Sequence, residues 1–96
     1  MYKLLFLPPA ERFLKKLKDK KIIAKFKTVL DSISNNPYIG TLKQGDLAGI
    51  YGYDLYYNKT NYEIAYRIYE EDGKYVIVIL AGTRENFYDE LKRYMK

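Results

Sequence analysis

The chain has no cysteine, which excludes disulfides and thiolate metal sites. It also has no histidine, the commonest general base and metal ligand near neutral pH. Any catalysis must therefore use other groups, and neither a metal nor a cofactor is expected. No apolar run approaches the roughly 18 residues that a membrane span needs. Met1 to Leu7 is too short for a signal peptide and runs into Pro8 and Pro9, so a cytoplasmic protein without membrane contact is expected.

What is present fits one small folded unit. Ninety-six residues, 48% hydrophobic and 30% charged, suffice for one core and argue against disorder, so residues 1–96 are read as a single domain. The net charge is +5, unevenly spread: residues 1–30 hold nine Lys or Arg against two acids, and residues 31–96 hold eight against ten. Such a distribution suits a polyanionic partner, nucleic acid or an acidic protein segment, and suits equally a solvated basic face that keeps the protein in solution. In the first case Lys20, Lys21 and Lys25 are candidate RNA contacts.

Hydrophobic periodicity gives the elements. Tyr2 to Leu7 reads as a strand closed by the proline pair, which cannot continue a ladder. Phe13, Leu14 and Leu17 follow at helical spacing and the helix ends near Asp19, a residue able to cap a second helix carrying Ile22, Ile23, Phe26, Leu30 and Ile33. Asn35-Asn36-Pro37 stops that helix, and the stretch from 38 to 49, with three glycines, reads as a loop. Ile50 to Tyr57, Tyr62 to Glu70 and Lys74 to Ala81 are aromatic or β-branched strands joined by hairpin connections at Asn58 to Asn61 and Glu71 to Gly73. Gly82-Thr83 ends the last strand, and Phe87, Leu91, Tyr94 and Met95 mark a helix running to the C-terminus. The fold class is α+β in the order β-α-α-β-β-β-α: a helical hairpin on a twisted antiparallel sheet, with a C-terminal helix.

Arg84 is the first candidate functional residue. Placed at a helix start, its charge opposes the macrodipole; it either holds an anion together with free helix amides or pairs with Glu85 or Asp89. Tyr88, four residues on, would share its face and either address the same ligand or pack beside Phe87. Strand alternation puts Tyr62, Ile64, Tyr66 and Ile68 on one sheet face and Glu63, Ala65, Arg67 and Tyr69 on the other. Tyrosines beside an arginine suit stacking on single-stranded RNA, and tyrosine is also a favoured strand residue.

Asn36-Pro37-Tyr38, Leu47-Ala48-Gly49-Ile50-Tyr51, Tyr62-Glu63-Ile64-Ala65-Tyr66 and Gly82-Thr83-Arg84-Glu85-Asn86-Phe87-Tyr88, in this order and spacing, resemble the RelE/ParE superfamily toxins of type II toxin-antitoxin systems. The resemblance implies a toxin held by a cognate antitoxin. It implies one of two outcomes: RelE-like cleavage of mRNA in the ribosome, in which a 2′-hydroxyl is activated against the adjacent phosphate, or ParE-like inhibition of DNA gyrase. A fold that has lost toxicity and acts only as a binding protein is the third reading. The family's Gly-x-Arg and following Tyr fall on Gly82, Arg84 and Tyr88. The sheet arginine of RelE-like nucleases falls on Glu63, and the paired lysines of the preceding strand fall near Asp54 and Tyr56. An mRNA endoribonuclease is put first, with Arg84 stabilising phosphate charge, Tyr88 positioning or protonating it and Arg67 assisting. Glu63 pairs with Arg67 or Arg84 or serves as a base, and Lys59 and Tyr56 lie within the expected RNA-binding region.

Overall fold

The computed structural model describes residues 1–95. Strand β1 (Lys3–Phe6) leads into helices α1 (Pro8–Lys16) and α2 (Lys20–Asn35), then a two-residue strand β2 (Thr41–Leu42). Strands β3 (Tyr51–Tyr57), β4 (Thr60–Tyr69) and β5 (Tyr75–Thr83) and helix α3 (Phe87–Tyr94) complete the chain. Pro8 occupies the first turn of α1, where no amide hydrogen is missed, and the Asp19 carboxylate accepts from the Lys21 amide at 2.8 Å, capping α2 as expected.

The sheet has the order β1-β5-β4-β3-β2. The β3-β4-β5 meander is antiparallel as expected, whereas β1 pairs with β5 in parallel, Lys3 opposite Tyr75 through Phe6 opposite Val78, so the sheet as a whole is mixed. The reason is topological: α1 and α2 carry the chain back across the sheet before β3 begins. The β3-β4 connection is tighter than the sequence suggested. Asn58 and Lys59 alone form the turn, both at positive φ (51° and 62°), as a two-residue hairpin of matching twist requires. Thr60 and Asn61 therefore join β4.

Helices α1 and α2 cover one face, where Ala10, Ile22, Phe26 and Ile33 meet Leu55, Ile64, Tyr66, Val76, Val78 and Ala81. Helix α3 covers part of the other, Phe87 and Leu91 packing on Ile50, Ala65, Ile79 and Leu80. The alternation read along β4 is thus realised, and most of the sheet tyrosines are core: Tyr51, Tyr53, Tyr57, Tyr62 and Tyr66 lie under the helices. Tyr66 is fully buried; its hydroxyl donates to the Pro37 carbonyl at 2.7 Å and accepts from the Gly40 amide at 3.1 Å, which ties the stretch after α2 to the central strand.

One irregularity sets up the exposed face. Ala65 pairs with Leu80 but Tyr66 with Val78, leaving Ile79 as an extra residue in β5. Ile79 and Leu80 consequently both pack into the α3 cluster while Ala81 returns to the α1/α2 side. A bulge shifts every later residue by one position in the alternation. Gly82, opposite Glu63 in β4, is thereby turned toward α3, its side-chain position 3.8 Å from the Phe87 ring.

Candidate functional site

Glu63 lies in the middle strand of the sheet, on the face that α3 only partly covers, between Asp54 of β3 and Gly82 of β5. It is 1% exposed. Its Oε2 accepts a hydrogen bond from the Tyr88 hydroxyl and lies 3.8 Å from the Lys43 ammonium; its Oε1 is buried without a hydrogen-bond partner among the described residues. Lys43 also stands 5.0 Å from the centre of the Tyr88 ring, within range of a cation–π contact. Gly52 makes this arrangement possible, because a Cβ there would fall 2.7 Å from Lys43 Cε and 2.8 Å from Glu63 Oε2.

The electrostatics follow from this packing. Burial, together with the neighbouring Asp54 carboxylate, raises the Glu63 pKa to about 7, against the opposing pull of Tyr88 and Lys43. Burial and the Glu63 hydrogen bond push the Tyr88 hydroxyl well above its ordinary value. Tyr88 thus holds its proton, and Glu63 sits poised between charged and neutral near physiological pH.

Arg84 borders the cluster but differs from the sequence expectation. Strand β5 continues to Thr83, and α3 begins only at Phe87, because Asn86 takes a left-handed conformation at φ 58°. Arg84 is therefore not a helical residue: it does not oppose a macrodipole and does not share a helix face with Tyr88. Its amide instead extends the sheet, donating to the Asn61 carbonyl at 2.8 Å. Its guanidinium stands 3.9 Å from Asp54, both side chains more than half exposed, rather than beside Glu85 or Asp89. Glu63 is paired with Lys43 and Tyr88, not with Arg67 or Arg84. Arg67 lies four residues along β4, roughly 13 Å at the rise of an extended strand, beside Gly49, 3.3 Å from the position of a Cβ there.

The remaining candidates divide between two regions. Lys59, at the hairpin tip, lines a shallow cleft with Thr60, Asn61, Thr83, Arg84 and Glu85, next to the site. Tyr56 is exposed and pairs with Asn61. Lys20, Lys21 and Lys25 occupy α2, which packs against the opposite sheet face; Lys25 reaches the sheet edge, donating to the Tyr56 carbonyl at 3.4 Å. Lys43, Gly52 and Asp54 complete the cluster. Lys43 lies in an aperiodic loop, and only the fold brings it over Gly52.

Comparison with known proteins agrees with this architecture. The family described as ParE-like toxin of type II bacterial toxin-antitoxin system matches residues 4–92. No curated protein matches the chain. Among solved structures, the chain is similar to a mutant of the E. coli RelE toxin in the free state, with a TM-score of 0.73, 22% identity, and 97% of this chain and 92% of that one covered. A chain of the intact E. coli RelBE toxin-antitoxin complex superposes with a TM-score of 0.68 at 23% identity, over 85% and 95% of the two chains. For the Mycobacterium tuberculosis RelBE2 toxin-antitoxin complex the values are 0.66 and 26%, over 86% and 98%. In its sheet, its helices and nearly its whole length, this chain belongs to the ParE-like toxin family of type II bacterial toxin-antitoxin systems.

Proposed function

We propose that this toxin cuts mRNA engaged on the ribosome, in the cytoplasm, and that a cognate antitoxin holds it inactive. One observation carries the reading: Lys43 and the Tyr88 hydroxyl converge on the buried Glu63 carboxylate, and Arg84, paired with the exposed Asp54 beside it, adds a second cation on the same sheet face. Phosphodiester cleavage by a neighbouring 2′-hydroxyl needs a group to take the proton and fixed positive charge for the phosphorane, and enzymes supply the latter with preorganised donors. Arg84 and Lys43 provide the charge, Tyr88 faces the reacting oxygen, and Lys59 extends the basic rim along the cleft. Arg67, farther along β4, contacts the RNA chain away from the reacting phosphate. Solved RelBE complexes, in which a protein of this fold is bound as toxin to antitoxin, support an antitoxin partner.

A second reading, inhibition of DNA gyrase, is favoured by Asp54 and Glu63, which put two carboxylates where a phosphate would approach; like charge there weakens phosphate binding. Induced expression of the wild type and of Arg84→Ala in bacteria, with mapping of mRNA 5′ ends, separates the two. The RNA-cleavage reading expects growth arrest with new cuts in translated messages, abolished by the substitution. Arrest with intact messages, filamentation and broken DNA would replace it with the gyrase reading.

A further inference from the structure

We infer that Glu63 never meets the substrate and acts through Tyr88: the tyrosine takes a proton from the RNA 2′-hydroxyl while passing its own hydroxyl proton to the buried carboxylate. The inference rests on the RNA-cleavage reading and assigns the proton path within that site. Three observations carry it. Glu63 is 1% exposed, so no RNA oxygen reaches it directly. Tyr88 is only half-buried and its hydroxyl already bonds Glu63 Oε2, so of the two side chains it is the one on which RNA can dock. Oε1 of Glu63 has no hydrogen-bond partner among the described residues, so that oxygen is open to a proton.

The step balances. The 2′ O–H bond breaks and a new O–H bond forms on Tyr88, while the original Tyr88 O–H bond breaks and one forms on Glu63. The 2′-oxygen attacks phosphorus to give a 2′,3′-cyclic phosphate, and the departing 5′-oxygen takes its proton from solvent water. Glu63 then returns its proton through Tyr88 to solvent. Protonation also changes the field at the reacting centre. In the resting protein Lys43 lies 3.8 Å from the carboxylate; once Glu63 is neutral, that ammonium has lost its counter-charge and faces the phosphorane dianion. Positive charge is thereby released when the transition state needs it.

The groups around Glu63 set its response to pH. Lys43 faces it from the loop before β3, Asp54 from β3 and Tyr88 from α3; Arg84 pairs with Asp54, and Gly82 of β5 offers no side chain. Cleavage should need the carboxylate charged, so its rate should rise through the Glu63 titration near 7.

The test is single-turnover cleavage of mRNA on programmed ribosomes from about pH 5.5 to 8.5 by wild type, Glu63→Gln and Tyr88→Phe. The relay expects wild-type kcat to rise through this range. Both variants should lose roughly a hundredfold or more in kcat, as removal of a general base does, and show a flat profile with unchanged KM. Glu63→Gln keeps the acceptor for Tyr88 but cannot take the proton, and Tyr88→Phe leaves the buried carboxylate in place, so the second variant answers if the first folds poorly. Either variant cutting within about threefold of wild type, with the same rise, overturns the relay. If wild type leaves the message intact at every pH, the RNA-cleavage reading itself falls, and the relay with it.

Discussion

Replacing Glu63 by Gln should make the folded protein more stable at pH 8 and leave it nearly unchanged at pH 5. The magnitude comes from the site. Glu63 titrates near 7 when folded, against an ordinary value of 4.5, so the folded state binds the proton more tightly than the unfolded chain. Its contribution to stability is complete below about 4.5 and is lost as pH rises through about 7. Integrated over that window, the loss is on the order of 3 kcal/mol. Glutamine, neutral at every pH, escapes it; its amide oxygen can still accept from Tyr88, and its NH2 can donate to Asp54. Thermal melts of both proteins at pH 5 and pH 8 measure the effect. In a domain of this size 1 kcal/mol moves Tm by roughly 4 to 8 °C, so wild type should melt at least about 10 °C lower at pH 8 than at pH 5, and Glu63→Gln should not. Glu70, whose carboxyl is held below its ordinary value by hydrogen bonds from Tyr38 and Tyr2, loses its contribution only below about pH 4.5 and does not enter this window. A wild-type Tm that is flat from pH 5 to 8, or a variant less stable than wild type at pH 8, would refute the reasoning.

Other consequences follow from the same packing. Gly52→Ala places a methyl against Lys43 and Glu63; Lys43 swings out because it is flexible, Glu63 cannot, and a cost of about 1–3 kcal/mol should register in urea unfolding together with reduced cleavage. Tyr66→Phe deletes the hydroxyl that joins Pro37 and Gly40, leaving a buried carbonyl and a partly buried amide unpaired, and should lower urea-unfolding stability by about 1–3 kcal/mol without altering the site. If Lys20, Lys21 and Lys25 contact ribosomal RNA, their joint replacement by Gln should flatten the salt dependence of ribosome binding by roughly 0.7–0.9 log units per log of salt for each lost contact. An unchanged slope would place those lysines in solvent or against the antitoxin.

Local order was legible in the sequence wherever it rests on local chemistry. The Asp19 cap, the proline pair after β1, the stop at Pro37 and the in-out alternation of β4 each follow from a residue's own backbone or hydrogen-bonding preference. Features that depend on distant partners were not. The parallel docking of β1 on β5 joins segments about seventy residues apart, and the bulge at Ile79 is invisible in an unbroken β-branched run. The start of α3 was misplaced because Asn86 takes a left-handed conformation there, which delays the helix and returns Arg84 to the sheet. For the site, Arg84 and Tyr88 were marked by residue type and position and Glu63 by the family resemblance, whereas Lys43 belongs to it through a gap at Gly52 that only the folded backbone creates.

The most direct test of the account uses purified toxin and ribosomes programmed with a defined mRNA, comparing an all-ribose message with one carrying a single 2′-deoxy residue at the cut position. The account predicts cleavage of the first to a 2′,3′-cyclic phosphate and a 5′-hydroxyl end, and none at that position in the second. Equal cleavage of both, or an intact all-ribose message, would contradict it.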